Sequence, residues 1–128
     1  MRILVAEDDF VSRQVLCRYL EAYGTCDVAV DGREAVRAVE YALEHQSPYD
    51  LICLDIMMPR MNGQEALRNI RQLEQDYEQP SHAKILVATA SRDLEDVRRA
   101  FEAKCDGYLM KPFNRGQIQE QLRVFGLL

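Results

Sequence analysis

Asp50-Leu51-Ile52-Cys53-Leu54-Asp55 is the stretch that decides the fold. Four consecutive apolar residues held between two acids are too short a run for a helix, and they read as a strand buried on both faces. Such a strand needs parallel neighbours on either side and helices above and below it.

Those neighbours are found by working outward. Arg2 to Ala6 is apolar after its first residue, and Cys26 to Val30, Lys84 to Ala88 and Gly107 to Met110 supply three more strand-like runs. Segments of helical period separate them. Val11, Val15, Leu16, Tyr19, Leu20 and Tyr23 recur at helical spacing up to Gly24, a helix stop. Asp31 and Glu34 suit the cap and third position of a helix burying Ala35, Val36, Val39, Ala42 and Leu43. Beyond Asp55, a turn with Pro59 and Gly63 leads into a helix capped by Asn62 that buries Ala66, Leu67, Ile70 and Leu73. Gln75 to Ala83 is polar, contains Pro80 and reads as a long surface loop. Ser91 is expected to cap a helix carrying Leu94, Val97 and Phe101, and Asn114 with Gln117 opens a last helix with Ile118, Leu122 and Phe125. The expectation is an α/β fold of five strands and five helices in alternation, with a parallel sheet covered on both faces.

With 128 residues, 48% of them hydrophobic, the chain is the size of one domain, residues 1–128, and can bury one continuous core. A net charge of -5 argues against a direct nucleic-acid binder, which needs clustered positive charge. The apolar start at Met1 to Val5 is too short for a signal peptide, and no stretch approaches the roughly 20 apolar residues of a membrane span, so the expected location is cytoplasmic. Cys17, Cys26, Cys53 and Cys105 lack CxxC spacing and read as reduced, mostly buried thiols rather than a zinc or redox site.

In an open parallel sheet, ligands bind beyond the carboxyl ends of the strands. The residues expected there are Glu7-Asp8-Asp9 after the first strand, Asp55 after the third, Thr89-Ala90 after the fourth and Lys111-Pro112 after the fifth. Carboxylates crowded together repel and call for a cation. Oxygen-only ligands favour Mg²⁺, which takes one or two carboxylates, several waters and a phosphate oxygen. Lys111 and the Thr89 hydroxyl then suit the oxygens of a transferring phosphoryl group. Asp55 is the candidate nucleophile, because an ionised carboxylate at the end of the most buried strand needs no base to activate it. Taken singly, each residue has a plain structural reading as a helix cap, a turn residue or a solvated charge; their joint placement is what points to chemistry.

On these residues the chain resembles the receiver domain of bacterial two-component response regulators over essentially its whole length. The likeness rests on Glu7-Asp8-Asp9, Asp55-Ile56-Met57-Met58-Pro59 with Met61-Asn62-Gly63, Thr89-Ala90, and Gly107-Tyr108 followed by Lys111-Pro112-Phe113. It implies a flavodoxin-like doubly wound sheet of order 2-1-3-4-5, with Asp55 as phosphoacceptor. It implies that Asp8 and Asp9 hold Mg²⁺, Asp9 directly, with the Met57 backbone carbonyl completing the shell. Thr89 and Lys111 are implied to contact the phosphoryl group, Tyr108 to be an aromatic switch residue, and Pro112 to follow a cis bond. The partners implied are a sensor histidine kinase or histidine phosphotransfer protein upstream and a downstream protein on helix four, strand five and helix five. Homodimer formation is left open. The resemblance describes no free-standing enzyme but a domain that assists its own phosphorylation and dephosphorylation.

The chain ends soon after its fifth helix, which favours a receiver without an output domain over a piece of a longer regulator or hybrid kinase. Two other functions compete. A haloacid-dehalogenase-type phosphatase also uses a nucleophilic Asp and Mg²⁺, but places a second Asp where this chain has Met57. A flavodoxin-like cofactor binder wants a Gly/Ser/Thr-rich phosphate loop where Glu7-Asp8-Asp9 would repel the ligand.

Overall fold

The computed structural model describes residues 1–128. In chain order the elements are β1 (Arg2–Ala6), α1 (Phe10–Leu20), β2 (Thr25–Ala29), α2 (Gly32–Glu44), β3 (Leu51–Leu54), α3 (Gly63–Asp76), β4 (Lys84–Thr89), α4 (Leu94–Glu102), β5 (Gly107–Met110) and α5 (Arg115–Val124). The five strands are parallel and lie in the order β2-β1-β3-β4-β5.

Strand periodicity divides the core into two layers. Leu4, Ala6, Ile52, Leu54, Ile85 and Val87 face α2, α3 and α4, where Ala35, Val39, Leu67, Ile70 and Ala100 meet them. Ile3, Val5, Leu51, Cys53 and Leu86 face the other way onto Leu16 and Leu20 of α1 and Ile118 and Leu122 of α5. Each fully buried Leu or Ile among them stabilises the fold by roughly 1.5 to 3 kcal/mol. The two layers bury β1, β3 and β4 between them, which fixes where the chain emerges at their carboxyl ends.

Several local expectations shift. β2 covers Thr25–Ala29, where Cys26 to Val30 was expected, because its register with β1 pairs Arg2 with Thr25 and Ala6 with Ala29. The α3 helix runs through Asp76, which shortens the expected Gln75 to Ala83 loop from its start. α4 is capped by Asp93, whose carboxylate accepts from the Glu95 amide; Ser91 is no cap, because its hydroxyl is turned to Asp96 at 2.6 Å. Tyr23 lies beyond the end of α1. Val11 and Val15 on α1, and Leu94 and Phe101 on α4, are exposed rather than part of a buried stripe, Leu94 to 80%. Both helices lean on the sheet with only part of the face that their apolar residues suggest.

No helix is long and apolar enough to cross a membrane.

Candidate functional site: an acidic cluster at the carboxyl edge of the sheet

β1 and β3 pair in register, with Ala6 beside Leu54, so the next residue of each strand, Glu7 and Asp55, are brought side by side. The chain stays strand-like past both ends: the Glu7 amide donates to the Ala29 carbonyl and the Asp55 amide to the Ala6 carbonyl, each at 3.0 Å. Both side chains are buried, Glu7 to 3% exposure and Asp55 to 6%. Asp8 is exposed beside them, and one carboxylate oxygen from each of Glu7, Asp8 and Asp55 lies within 4.8 Å of the others. Two unit charges at such a range repel by roughly 3 to 4 kcal/mol at an effective dielectric near 20.

One cation answers three acids. Lys111 donates to Glu7 and, at 3.0 Å, to Oδ2 of Asp55. Burial pushes the Glu7 carboxyl above its ordinary value, Lys111 pulls it back, and the charge of Asp55 adds to the rise. Burial works against the Lys111 charge, but Glu7 and Asp55 outweigh it and hold the ammonium above its usual range. The cluster sets three carboxylates against one ammonium, and its metal-facing atoms are all oxygen. It fits a hard divalent cation with room for water on the open Asp8 side.

Asp9, expected as the direct metal ligand, lies outside the cluster. Its Oδ2 accepts from the Ser12 amide at 2.8 Å and caps α1, and that bond holds the carboxyl below its ordinary value. Glu7 takes the buried place instead, with Asp8 next to it. In a run of three acids the residue type does not say where the strand stops; a slip of one position turns each side chain to the other face. The register of β1 with β3 carries that information.

The remaining expected residues are placed as follows. Asp55 Oδ1 accepts from the Met57 amide at 2.9 Å, while the Met57 side chain is 60% exposed. Thr89 is fully buried as the last residue of β4, within the strand rather than after it, and its hydroxyl oxygen accepts from the Ser91 amide at 3.4 Å. The Tyr108 hydroxyl donates to the Ser91 carbonyl at 3.1 Å; burial raises its pKa. The Lys111–Pro112 peptide bond is cis.

The packing role of Gly63, read only as a turn and motif residue, and the part of Arg13 went unread in the sequence. Gly63 opens α3 directly against the Asp55 loop, and a Cβ there would collide with the Asp55 carbonyl and the Ile56 Cα, so only glycine lets the loop and helix close. Arg13 donates to the Glu7 carbonyl at 2.9 Å and braces the acidic turn from α1. Position i+6 from Glu7, on the first helix after an acidic turn, was the available signal. Beside Lys111 runs a groove of about 470 Å³ lined by Val11, Ser12, Val15, Ala90, Pro112 and Phe113.

The response regulator receiver domain model matches residues 3–123. This chain belongs to the response regulator receiver domain family. The receiver domain is 32% identical, over 98% of its length, to the hybrid signal transduction histidine kinase L of Dictyostelium discoideum, and 37% identical, over 87%, to the regulatory protein VanRB of Enterococcus faecalis. It spans 7% and 45% of those two proteins. Among solved structures it resembles the receiver domain of the histidine kinase CKI1 from Arabidopsis thaliana complexed with Mg²⁺ and BeF3⁻. That match has 32% identity and a TM-score of 0.85, covering 98% of this chain and 89% of the other. The receiver domain of the sensor histidine kinase PA1611 from Pseudomonas aeruginosa, with magnesium coordinated in its active-site cleft, matches at 31% identity and a TM-score of 0.80, covering 98% and 97%. The family match, with Met57 in place of a second Asp, sets aside the phosphatase alternative.

Proposed function

We propose that residues 1–128 act as one receiver unit, a phosphorylation-activated signalling switch that takes a phosphoryl group on Asp55. The observation that carries this reading is the buried Asp55 carboxylate, engaged by Lys111 and clustered with Glu7 and Asp8. The carboxylate attacks the phosphorus of a phosphohistidine. The new O–P bond makes an acyl phosphate as the P–N bond breaks, and the electron pair leaves with the imidazole. The Met57 amide orients the carboxylate, Lys111 balances charge on the transferring oxygens, and the Thr89 hydroxyl donates to one of them. Glu7, Asp8 and Asp55, with the Met57 carbonyl, would hold Mg²⁺, which neutralises charge on the phosphoryl oxygens. Asp9 serves as the α1 cap in this reading.

The phosphodonor is a sensor histidine kinase or a histidine phosphotransfer protein, reaching Asp55 past the groove beside Lys111. The downstream partner reads the α4, β5 and α5 surface through Thr89 and Tyr108, with a second copy of the chain as one such partner. The domain works in the cytoplasm, and its catalytic contribution is confined to its own phosphorylation and dephosphorylation.

Acetyl phosphate with Mg²⁺ should add one acid-labile phosphoryl group, located by mass spectrometry on Asp55 and absent in Asp55→Asn, whose amide forms no acyl phosphate. Undiminished labelling of Asp55→Asn would overturn the assignment.

A further inference from the structure

Gln64 is buried to 5% exposure in the first turn of α3, and its Oε1 is the one buried side-chain oxygen or nitrogen in the molecule without a hydrogen-bond partner. Its Nε2 donates to the Asp96 carbonyl of α4 at 2.8 Å. A backbone carbonyl only accepts, so the amide must face it with its NH₂ group; turning the amide over would lose that bond. An unpartnered buried acceptor is costly, and an apolar side chain would fill the same space without the penalty. What the buried amide contributes against this cost is the bond made by its other end.

That bond joins the start of α3 to the first turn of α4. On one side, Gln64 follows Gly63, whose backbone is pressed against the Asp55 carbonyl and Ile56. On the other side, the Asp96 carboxylate accepts from the Ser91 hydroxyl at 2.6 Å. The Ser91 amide touches the Thr89 hydroxyl and the Ser91 carbonyl takes the Tyr108 hydroxyl. Asp96 is thus held through its carbonyl by Gln64 at the start of α3, next to the Asp55 loop, and through its carboxylate by the segment after Thr89.

We propose that Gln64 and Ser91 are positioning residues forming a clasp on Asp96 that makes α4 follow the chemical state of Asp55; this rests on Asp55 being the phosphoacceptor. As the Thr89 hydroxyl turns to a phosphoryl oxygen, Ser91 moves with it and pulls the first turn of α4 by the Asp96 carboxylate. Gln64 anchors the backbone carbonyl of the same residue to the start of α3, so the pull on the Asp96 carboxylate turns α4 about that anchor and is not dissipated in the loop. The response requires that the phosphorylated form favour one arrangement of the clasp over the other.

The test is Gln64→Met in the full chain, with beryllofluoride and Mg²⁺ as the probe and backbone amide shifts as the readout. Methionine keeps the length and removes both the Asp96 bond and the orphaned oxygen, so the melting temperature should stay within about 3 °C of the parent. Beryllofluoride affinity should stay within about two-fold, while shift changes at Leu94 to Glu102 fall to roughly half or less. Ser91→Ala should reduce the α4 response in the same way, and Ser91→Thr, which retains the hydroxyl, should restore it. Parent-sized α4 shifts in Gln64→Met and Ser91→Ala would overturn the proposal. Loss of beryllofluoride binding in Gln64→Met would also overturn it, since Gln64 would then be building the site. If the parent itself takes up no beryllofluoride, the phosphoacceptor reading fails first.

Discussion

The molecule contains two buried charge networks, one at each end of the sheet, and they are built on opposite accounting. Near the start of β4, Arg71 of α3 donates to Glu74 at 2.7 Å, to Asp106 at 2.9 Å, and to the Ala83 and Lys104 carbonyls. Glu74 accepts in turn from the Ala83 amide and Asp106 from the Ile85 amide. Both oxygens of Glu74 have protein donors, and one oxygen of Asp106 takes two. At the carboxyl edge, Glu7 and Asp55 share Lys111 and a few amides, while Asp8, the third acid, lies exposed beside them outside the reach of that ammonium. The first network staples α3 to β4 and β5. The second leaves acids without a matching protein cation, an arrangement that fits a hard metal ion.

The sharpest way to break this contrast is Arg71→Met. It leaves Glu74 and Asp106 without their guanidinium and should cost about 3 to 5 kcal/mol of stability by urea unfolding. Mg²⁺ affinity, measured by fluorescence or calorimetry on the folded fraction, should be unchanged. A loss below about 1 kcal/mol would show that the stapling network is ornamental.

Asp8→Asn should do the reverse. Mg²⁺ affinity should fall by about ten-fold or more, while the melting temperature in EDTA holds or rises because one like charge has been removed. In the parent, Mg²⁺ should raise the melting temperature by binding linkage, and Asp8→Asn should gain much less. Equal gains in both would remove Asp8 from the metal site.

The smallest expected effect separates Asp9 from its neighbours. Asp9→Ala removes the α1 cap and should lower the melting temperature by a few degrees in EDTA and in Mg²⁺ alike. If its Mg²⁺ affinity fell as far as that of Asp8→Asn, the division between cap and ligand would be wrong.

The layering of the fold was legible because β1, β3 and β4 are apolar runs, and the strand alternation of Leu4 with Ile3 and Val5 is carried directly into the two core layers. The order β2-β1-β3-β4-β5 was not legible from periodicity, which says which residues are buried but not which strands are neighbours; it came from the family resemblance. At the site, Asp55 and Lys111 stood out because each ends an apolar run. The split between Glu7, Asp8 and Asp9 did not, since it depends on the pairing of Ala6 with Leu54 across the sheet. Arg71 and Glu74 were hidden in plain view. They continue the buried stripe of Leu67 and Ile70 at helical spacing, and charges inside an apolar stripe signal a paired, buried network.

Lys111 draws its two partners from far back in the chain, Glu7 at a separation of 104 residues and Asp55 at 56. As the chain leaves the ribosome, β1 and β3 can already align and set their acids side by side, with nothing yet made to balance them. Only when the segment through residue 111 has emerged and β5 has docked on β4 does the counter-charge arrive. The balance of the acidic edge is therefore set from the far end of the sheet, by a strand the sequence reaches only after both acids are already in place.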